Sequence, residues 1–181
     1  MKKLILICFL LLSSLYAEDK KNIFVGINGY ISSLEHELCG NCGRDNSVRN
    51  MGLEIGYKYD KDNLLSLEYD FVNWDNADLD IYSISYEHLY DEIKRDDYTI
   101  FTGVDIGLAR FENSVDSDTG ITLGLKAGVL YPLSLKNDLY LEGILKYKRF
   151  FDLQTNTSGN CNGMQEVKSL TSIGVGINWF F

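Results

Sequence analysis

Apolar side chains recur at every second position along most of the chain. The final stretch shows this best: Ile173, Val175, Ile177, Trp179 and Phe181 alternate with Gly174, Gly176, Asn178 and Phe180. A period of two sends neighbouring side chains to opposite faces, so this is a strand with one apolar face. The same alternation predicts seven more strands. Ile23, Val25, Ile27 and Ile31 mark the first, Met51 to Tyr59 the second, Leu65 to Phe71 the third, and Tyr82, Ile84 and Tyr86 the fourth. Tyr98, Ile100, Val104, Ile106 and Leu108 mark the fifth, Ile121 to Tyr131 the sixth, and Leu139, Leu141, Leu145 and Tyr147 the seventh. Residues 33–47, 60–63, 75–78, 90–97, 112–118, 132–138 and 152–167 are polar and read as connections. Helical periodicity is missing after the N-terminal segment.

Strands of this length suit a tilted crossing of a lipid bilayer, which takes about 9–11 residues. The fold expected is all-β: an eight-stranded antiparallel up-and-down transmembrane β-barrel. An even strand number leaves both termini on one side, the periplasmic one. Connections 33–47, 75–78, 112–118 and 152–167 then face outward. Aromatics of the apolar parity gather toward the strand ends, with Tyr57, Tyr59, Tyr86, Tyr98, Tyr131, Trp179 and Phe181 at one level and Phe71, Tyr82 and Tyr147 at the other. They match the two interfacial girdles of a membrane barrel.

Composition and the N-terminus agree with this. Lys2 and Lys3, the apolar run Leu4–Leu12 and the small residues up to Ala17 read as a secretory signal peptide, residues 1–17, leaving 18–181 as one barrel domain. Twelve Tyr, nine Phe and a single Pro suit long closed strands. The formal charge is −9, and loss of Lys2 and Lys3 makes the remainder more acidic, which argues against nucleic acid as a partner.

The signal peptide, the eight alternating strands and the Trp179-Phe180-Phe181 ending together resemble the small eight-stranded bacterial outer-membrane barrels: the OmpA membrane domain, OmpX and the opacity-type adhesins. The resemblance implies an outer-membrane location, contact with membrane lipid and lipopolysaccharide, and insertion by the barrel-assembly machinery, with Trp179 and Phe181 as the assembly signal. It also implies envelope stability, adhesion or surface recognition of a host or other cell-surface ligand. No motif chooses among these.

Candidate chemistry lies mostly on the polar parity. Glu54, Glu68, Asp70, Glu87, Asp105 and Glu142, with Lys58, Lys126, Lys146 and Lys148, would face the lumen. Charges shut away from water must pair, so a chain Asp105–Lys126–Glu142 is expected, with Lys146 reaching toward the acids of strands two and three. Such a network serves either as an ion gate or as a polar plug that fixes the fold, and the plug is the expectation. Arg49, Arg110 and Arg149 share the apolar parity near outward strand ends, where guanidinium groups meet lipid phosphate or simply snorkel.

Outside the signal peptide, the cysteines Cys39, Cys42 and Cys161 are odd in number. An inter-loop bridge from Cys161 to Cys39 or Cys42 is expected, with a local Cys39–Cys42 ring as the rival and zinc binding less economical in an oxidising compartment. Neither His36 nor His88 has a nucleophile two residues away, so no enzyme, metal or cofactor is expected. Binding potential rests with His36, Glu37, Arg44, Asn160 and Met164 in the two long connections. A narrow conduit for small or hydrophobic solutes is the alternative function, and a lipid A-modifying enzyme a third.

Overall fold

The computed structural model describes residues 22–38, 42–74, 77–90, 98–134, 138–156 and 164–181. Its elements are all strands: β1 (Ile23–Leu38), β2 (Cys42–Lys58), β3 (Asn63–Trp74), β4 (Ala77–Tyr90), β5 (Thr99–Glu112), β6 (Ser117–Ser134), β7 (Leu139–Phe151), the short β8 (Gln154–Asn156) and β9 (Met164–Phe180). Each pairs antiparallel with its sequence neighbour, apart from β7, which pairs directly with β9. β1 pairs with β9 and closes the sheet. Eight long strands therefore form an up-and-down barrel. β8 is a small addition on the free side of the start of β9, with Gln154 opposite Glu166.

Closure brings the start of β1 beside the end of β9. Phe24 lies opposite Phe180, and the Phe181 amide donates to the Ile23 carbonyl at 2.7 Å. This end is called the base and the opposite end the mouth. The β2–β3 turn at the base is tight. Asp60 accepts from the Asp62 amide at 2.8 Å and from the Asn63 side chain at 2.7 Å, which fixes the β2–β3 turn.

Around the middle of the barrel the outer face is apolar. Ile27, Ile31, Leu67, Ile84, Ile106, Leu125, Leu145, Ile173 and Val175 are all more than half exposed. Soluble monomers rarely expose so continuous an apolar band, and a closed barrel leaves no unpaired edge within it, so the band fits the hydrocarbon of a bilayer. Aromatic side chains flank it. Tyr57, Tyr59, Tyr86, Tyr131, Trp179 and Phe181 point outward toward the base, and Phe71, Tyr82 and Tyr147 toward the mouth.

The strands run further at the mouth than the apolar pattern predicts. Residues 33–38 and 42–47 are strand rather than loop: β1 continues to Leu38 and β2 starts at Cys42, so His36 and Glu37 are strand residues. β9 starts at Met164, which puts that residue in a strand too, and β3 and β4 reach Trp74 and Ala77. The physical reason is an exchange of faces. In the middle of β4, Tyr82 and Ile84 point out while Ser83 and Ser85 point in. Toward the mouth Asp78 and Asp80 lie on the outer face while Leu79 and Ile81 are buried inside. β5 repeats this, with Arg110 and Glu112 outside and Ala109 and Phe111 inside. Once the strands leave lipid, the outer face meets water and the interior becomes the apolar side. A rule of constant outward apolarity reads this as the end of the strand.

The interior therefore has three layers. At the mouth Leu34, Val48, Val72, Leu79, Phe111, Phe150 and Leu153 form an apolar cluster against Trp74. At the base Phe24, Leu64, Leu89, Phe101, Leu130 and Ile144 form a second one, joined by Tyr140 and Phe180. A charged belt lies between them.

Candidate functional site

The belt has an acidic wall and a basic wall. Glu54 comes from β2, Glu68 and Asp70 from β3, Glu87 from β4 and Asp105 from β5; facing them are Lys126 from β6 and Lys146 and Lys148 from β7. Lys126 and Lys146 are cross-strand partners, as are Glu54 and Glu68. Like charges side by side repel, so the lysines extend across the lumen rather than along their own wall. Lys126 meets Glu68 and Glu87 and lies 3.5 Å from Glu54. Lys146 reaches Glu68 at 2.9 Å and Asp70 at 3.6 Å, with its ammonium 4.8 Å from the centre of the Tyr30 ring. Lys148 reaches Asp105 at 2.9 Å, donates to Ser83 at 2.9 Å, and lies 3.6 Å from Asp70.

The expected chain Asp105–Lys126–Glu142 is thus replaced. Asp105 pairs with Lys148, Lys126 crosses to the acids of β2, β3 and β4, and Glu142 accepts from the Asn178 amide at 3.1 Å. Counting along the wall finds neighbours, whereas a lysine's length lets it span the lumen. Lys146 does reach the acids of β3. Lys58, at the end of β2, is half-buried and joins no ion pair of the belt among the described residues.

Room for these side chains comes from glycine. A Cβ at Gly124 would fall on the Asp105 carboxylate, and one at Gly103 would stand 3.0 Å from Lys126 Cγ and 2.9 Å from Glu87 Cγ. Each buried ion costs several kcal/mol of desolvation, on the order repaid only by close pairing. The belt supplies that pairing: Lys126, Glu68 and Asp105 are almost completely shielded from solvent.

The mouth holds side chains that sequence reading placed in loops or missed. His36 is buried and packs on Trp74, ring centroids 4.4 Å apart, and Trp74 stacks on Phe111 at 6.1 Å. Leu79, Ile81, Ala109, Phe111 and Phe150 all carry the parity of the lumen acids and lysines. That run of apolar residues on the polar parity was the available signal. In β9 the register shifts opposite Glu35/His36, and this turns Val167 inward beneath His36.

The outer face of the same region is polar. Glu35 accepts from Ser169 at 2.8 Å, and Lys168 contacts Glu166 at 2.7 Å and Glu37 at 3.6 Å. The hydrogen bond to Glu166 and the nearby carboxylates hold the Lys168 ammonium above the usual lysine range. Arg49, Arg110 and Arg149 all point outward, from β2, β5 and β7, which are not neighbours. Arg110 is already engaged by Glu112 at 2.8 Å. His88 lies near the base, its Nδ1 2.8 Å from Asn63 Oδ1. The Trp179 and Phe181 rings meet at 4.5 Å. Residues 1–17, expected as a signal peptide, and Cys39, Asn160 and Cys161 lie outside the described residues, so the disulfide expectations do as well. Cys42 and Arg44 are placed in β2 by backbone alone.

A closed eight-stranded barrel with an apolar outer band, two aromatic girdles and an ion-paired interior defines a small transmembrane β-barrel. The solved structures agree. The chain is similar to the Neisserial surface protein A, with a TM-score of 0.63 and 18% identity over 88% of this chain and 97% of that one. It is similar to outer membrane protein H of P. aeruginosa, with a TM-score of 0.59 and 22% identity over 88% and 99%. Outer membrane protein OprG of Pseudomonas aeruginosa follows, with a TM-score of 0.53 and 14% identity over 87% and 95%. No protein-family profile matches the chain, and no curated protein matches it. The chain has the fold of the small eight-stranded outer-membrane barrels.

Proposed function

We propose that the protein is an integral barrel of the bacterial outer membrane, with its base in the periplasm, and that it is not an enzyme. Its mouth presents a polar surface for recognising an external partner or for bracing the cell envelope. The observation that carries this reading is the layered interior. Apolar clusters close both ends of an ion-paired belt, which leaves the extended mouth as the part that reaches outward. This argues against the conduit. The lipid-modifying enzyme has little support either, since His36 is packed under Trp74 and His88 is held by Asn63.

The recognition surface is the β1–β2 hairpin together with the starts of β8 and β9. Glu35, Glu37, Glu166 and Lys168 lie on it. Residues 42–49 of β2 pair with β1 but, among the described residues, not with β3, whose register starts at Asn50. Such an edge offers backbone groups to an extended peptide. Arg49 and Arg149 add cationic groups at the rim that suit the phosphates of the outer leaflet, and the Trp179–Phe181 end suits the barrel-assembly machinery.

Charge reversal of Glu35, Glu37 and Glu166 together tests the proposal, scored for cell binding, detergent sensitivity and solute uptake. Loss of binding or of detergent resistance with uptake unchanged is expected. Loss of uptake alone would transfer the function to a conduit.

A further inference from the structure

The belt does not balance its charges evenly. Glu68, Asp70, Glu87 and Asp105 each meet a lysine. Among the described residues Glu142 meets no lysine and accepts from the Asn178 amide, and Glu54 meets only Lys126, at 3.5 Å. Both carboxylates are buried, and both lie on the wall made by β7, β9, β1 and β2. The same wall carries two amide oxygens with no hydrogen-bond partner, Asn28 Oδ1 and Asn178 Oδ1, in side chains only 2% and 3% exposed. A buried oxygen without a partner is costly, and two on one wall point to a shared one.

Register brings the four residues together. Gly26 lies between Glu54 and Asn178, and Gly176 lies between Asn28 and Glu142. A Cβ at Gly26 would fall on Asn178 Oδ1, and a Cβ at Gly176 would fall on Asn28 Oδ1, so both amide oxygens rest in glycine gaps beside the two acids. The orientation of Asn178 is fixed because its Nδ2 donates to Glu142 Oε2, which turns Oδ1 toward Gly26.

We propose that Glu54, Glu142, Asn28 and Asn178 hold a hard divalent cation of the calcium or magnesium class. Carboxylate and amide oxygens are the ligands such ions take. Two carboxylates match a double charge, and one ion satisfies both acids and both orphan oxygens, whereas a proton serves one atom only. The buried trio Glu54, Glu68 and Glu87 is a different case, because the Lys126 ammonium already sits against all three. Since apolar clusters close the lumen on both sides, the ion enters during folding and leaves only on unfolding.

The test folds the purified chain from urea into detergent micelles with calcium, with magnesium or with a chelator. Surface metal is then stripped with chelator, and bound metal and the urea midpoint are measured. The expected result is one retained ion per chain and a higher midpoint for protein folded with the cation. In Glu142→Gln and, separately, in Asn28→Ala, retention falls roughly tenfold or more, the scale of losing one supporting group at a metal site. No retained metal with equal midpoints in cation and chelator overturns the proposal. Retention unchanged in both variants also overturns it, since the ion would then sit elsewhere.

Discussion

The middle of the barrel and its mouth are made from the same strands but have opposite faces. In the middle, Val104, Ile106 and Leu108 of β5 face out and Asp105 faces in. Two residues further on, Arg110 faces out and Ala109 and Phe111 face in. Backbone alternation is the same in both regions, and only the surroundings change. Lipid makes the apolar face the outer one, and water makes it the inner one. The strand is thus one element with two solvents. At mid-barrel the interior is held by ion pairs, and at the mouth by apolar packing.

The largest effects should come from breaking each region by its own means. Lys126→Met leaves Glu54, Glu68 and Glu87 without their shared cation and should cost about 3–5 kcal/mol in urea unfolding from micelles. Adding Glu87→Gln to that variant should recover part of the loss, because Glu68 keeps Lys146 while Glu87 has no other lysine among the described residues. Phe111→Ala opens the mouth cluster and should cost about 3–5 kcal/mol by the same measurement. The two lesions lie in separate layers, so the double variant should be additive to within about 0.5 kcal/mol. A larger coupling would mean that belt and mouth are one cooperative unit.

A smaller effect separates the two solvents directly. Leu125 is 61% exposed on the apolar band, and Leu125→Arg should cost about 2–4 kcal/mol in lipid. Ser33→Arg, on the outer face toward the mouth, should stay within about 0.5 kcal/mol. Equal costs would contradict the change of surroundings between these positions.

The smallest effect belongs to the base. Hydrogen bonds from Asn63 and the Asp62 amide hold the Asp60 carboxyl below the usual aspartate range. A lowered value in the folded state means that the contribution is complete above the ordinary aspartate range. It fades as pH falls through the lowered value. Asp60→Asn should remove that acid-side loss, visible as a flatter unfolding midpoint against pH.

The sequence made the barrel legible because lipid-facing alternation is a strong signal. Ile121, Leu123, Leu125 and Val129 name both the strand and its outer face. The mouth was not legible because one assumption, apolar side out, was carried past the point where lipid ends. Leu79, Ile81 and Phe111 break that assumption because they are the core of the next layer. The register shift in β9, which turns Val167 inward, leaves no compositional mark. Belt residues could be identified by parity but not paired, since pairing depends on reach across the lumen. Lys148 and Asp105 belong to strands with β6 between them, yet they meet at 2.9 Å.

The exchange of faces is tested most directly by spin labels placed singly along β4, at positions 78 to 84, in a chain whose native cysteines are replaced by serine. Accessibility to oxygen reports lipid, and accessibility to a water-soluble nickel chelate reports solvent. The expected result is that Asp78 and Asp80 are reached by the chelate, Tyr82 and Ile84 by oxygen, and Leu79 and Ile81 by neither. Access of the chelate to Leu79 and Ile81, with Asp78 and Asp80 facing lipid, would contradict the layered barrel.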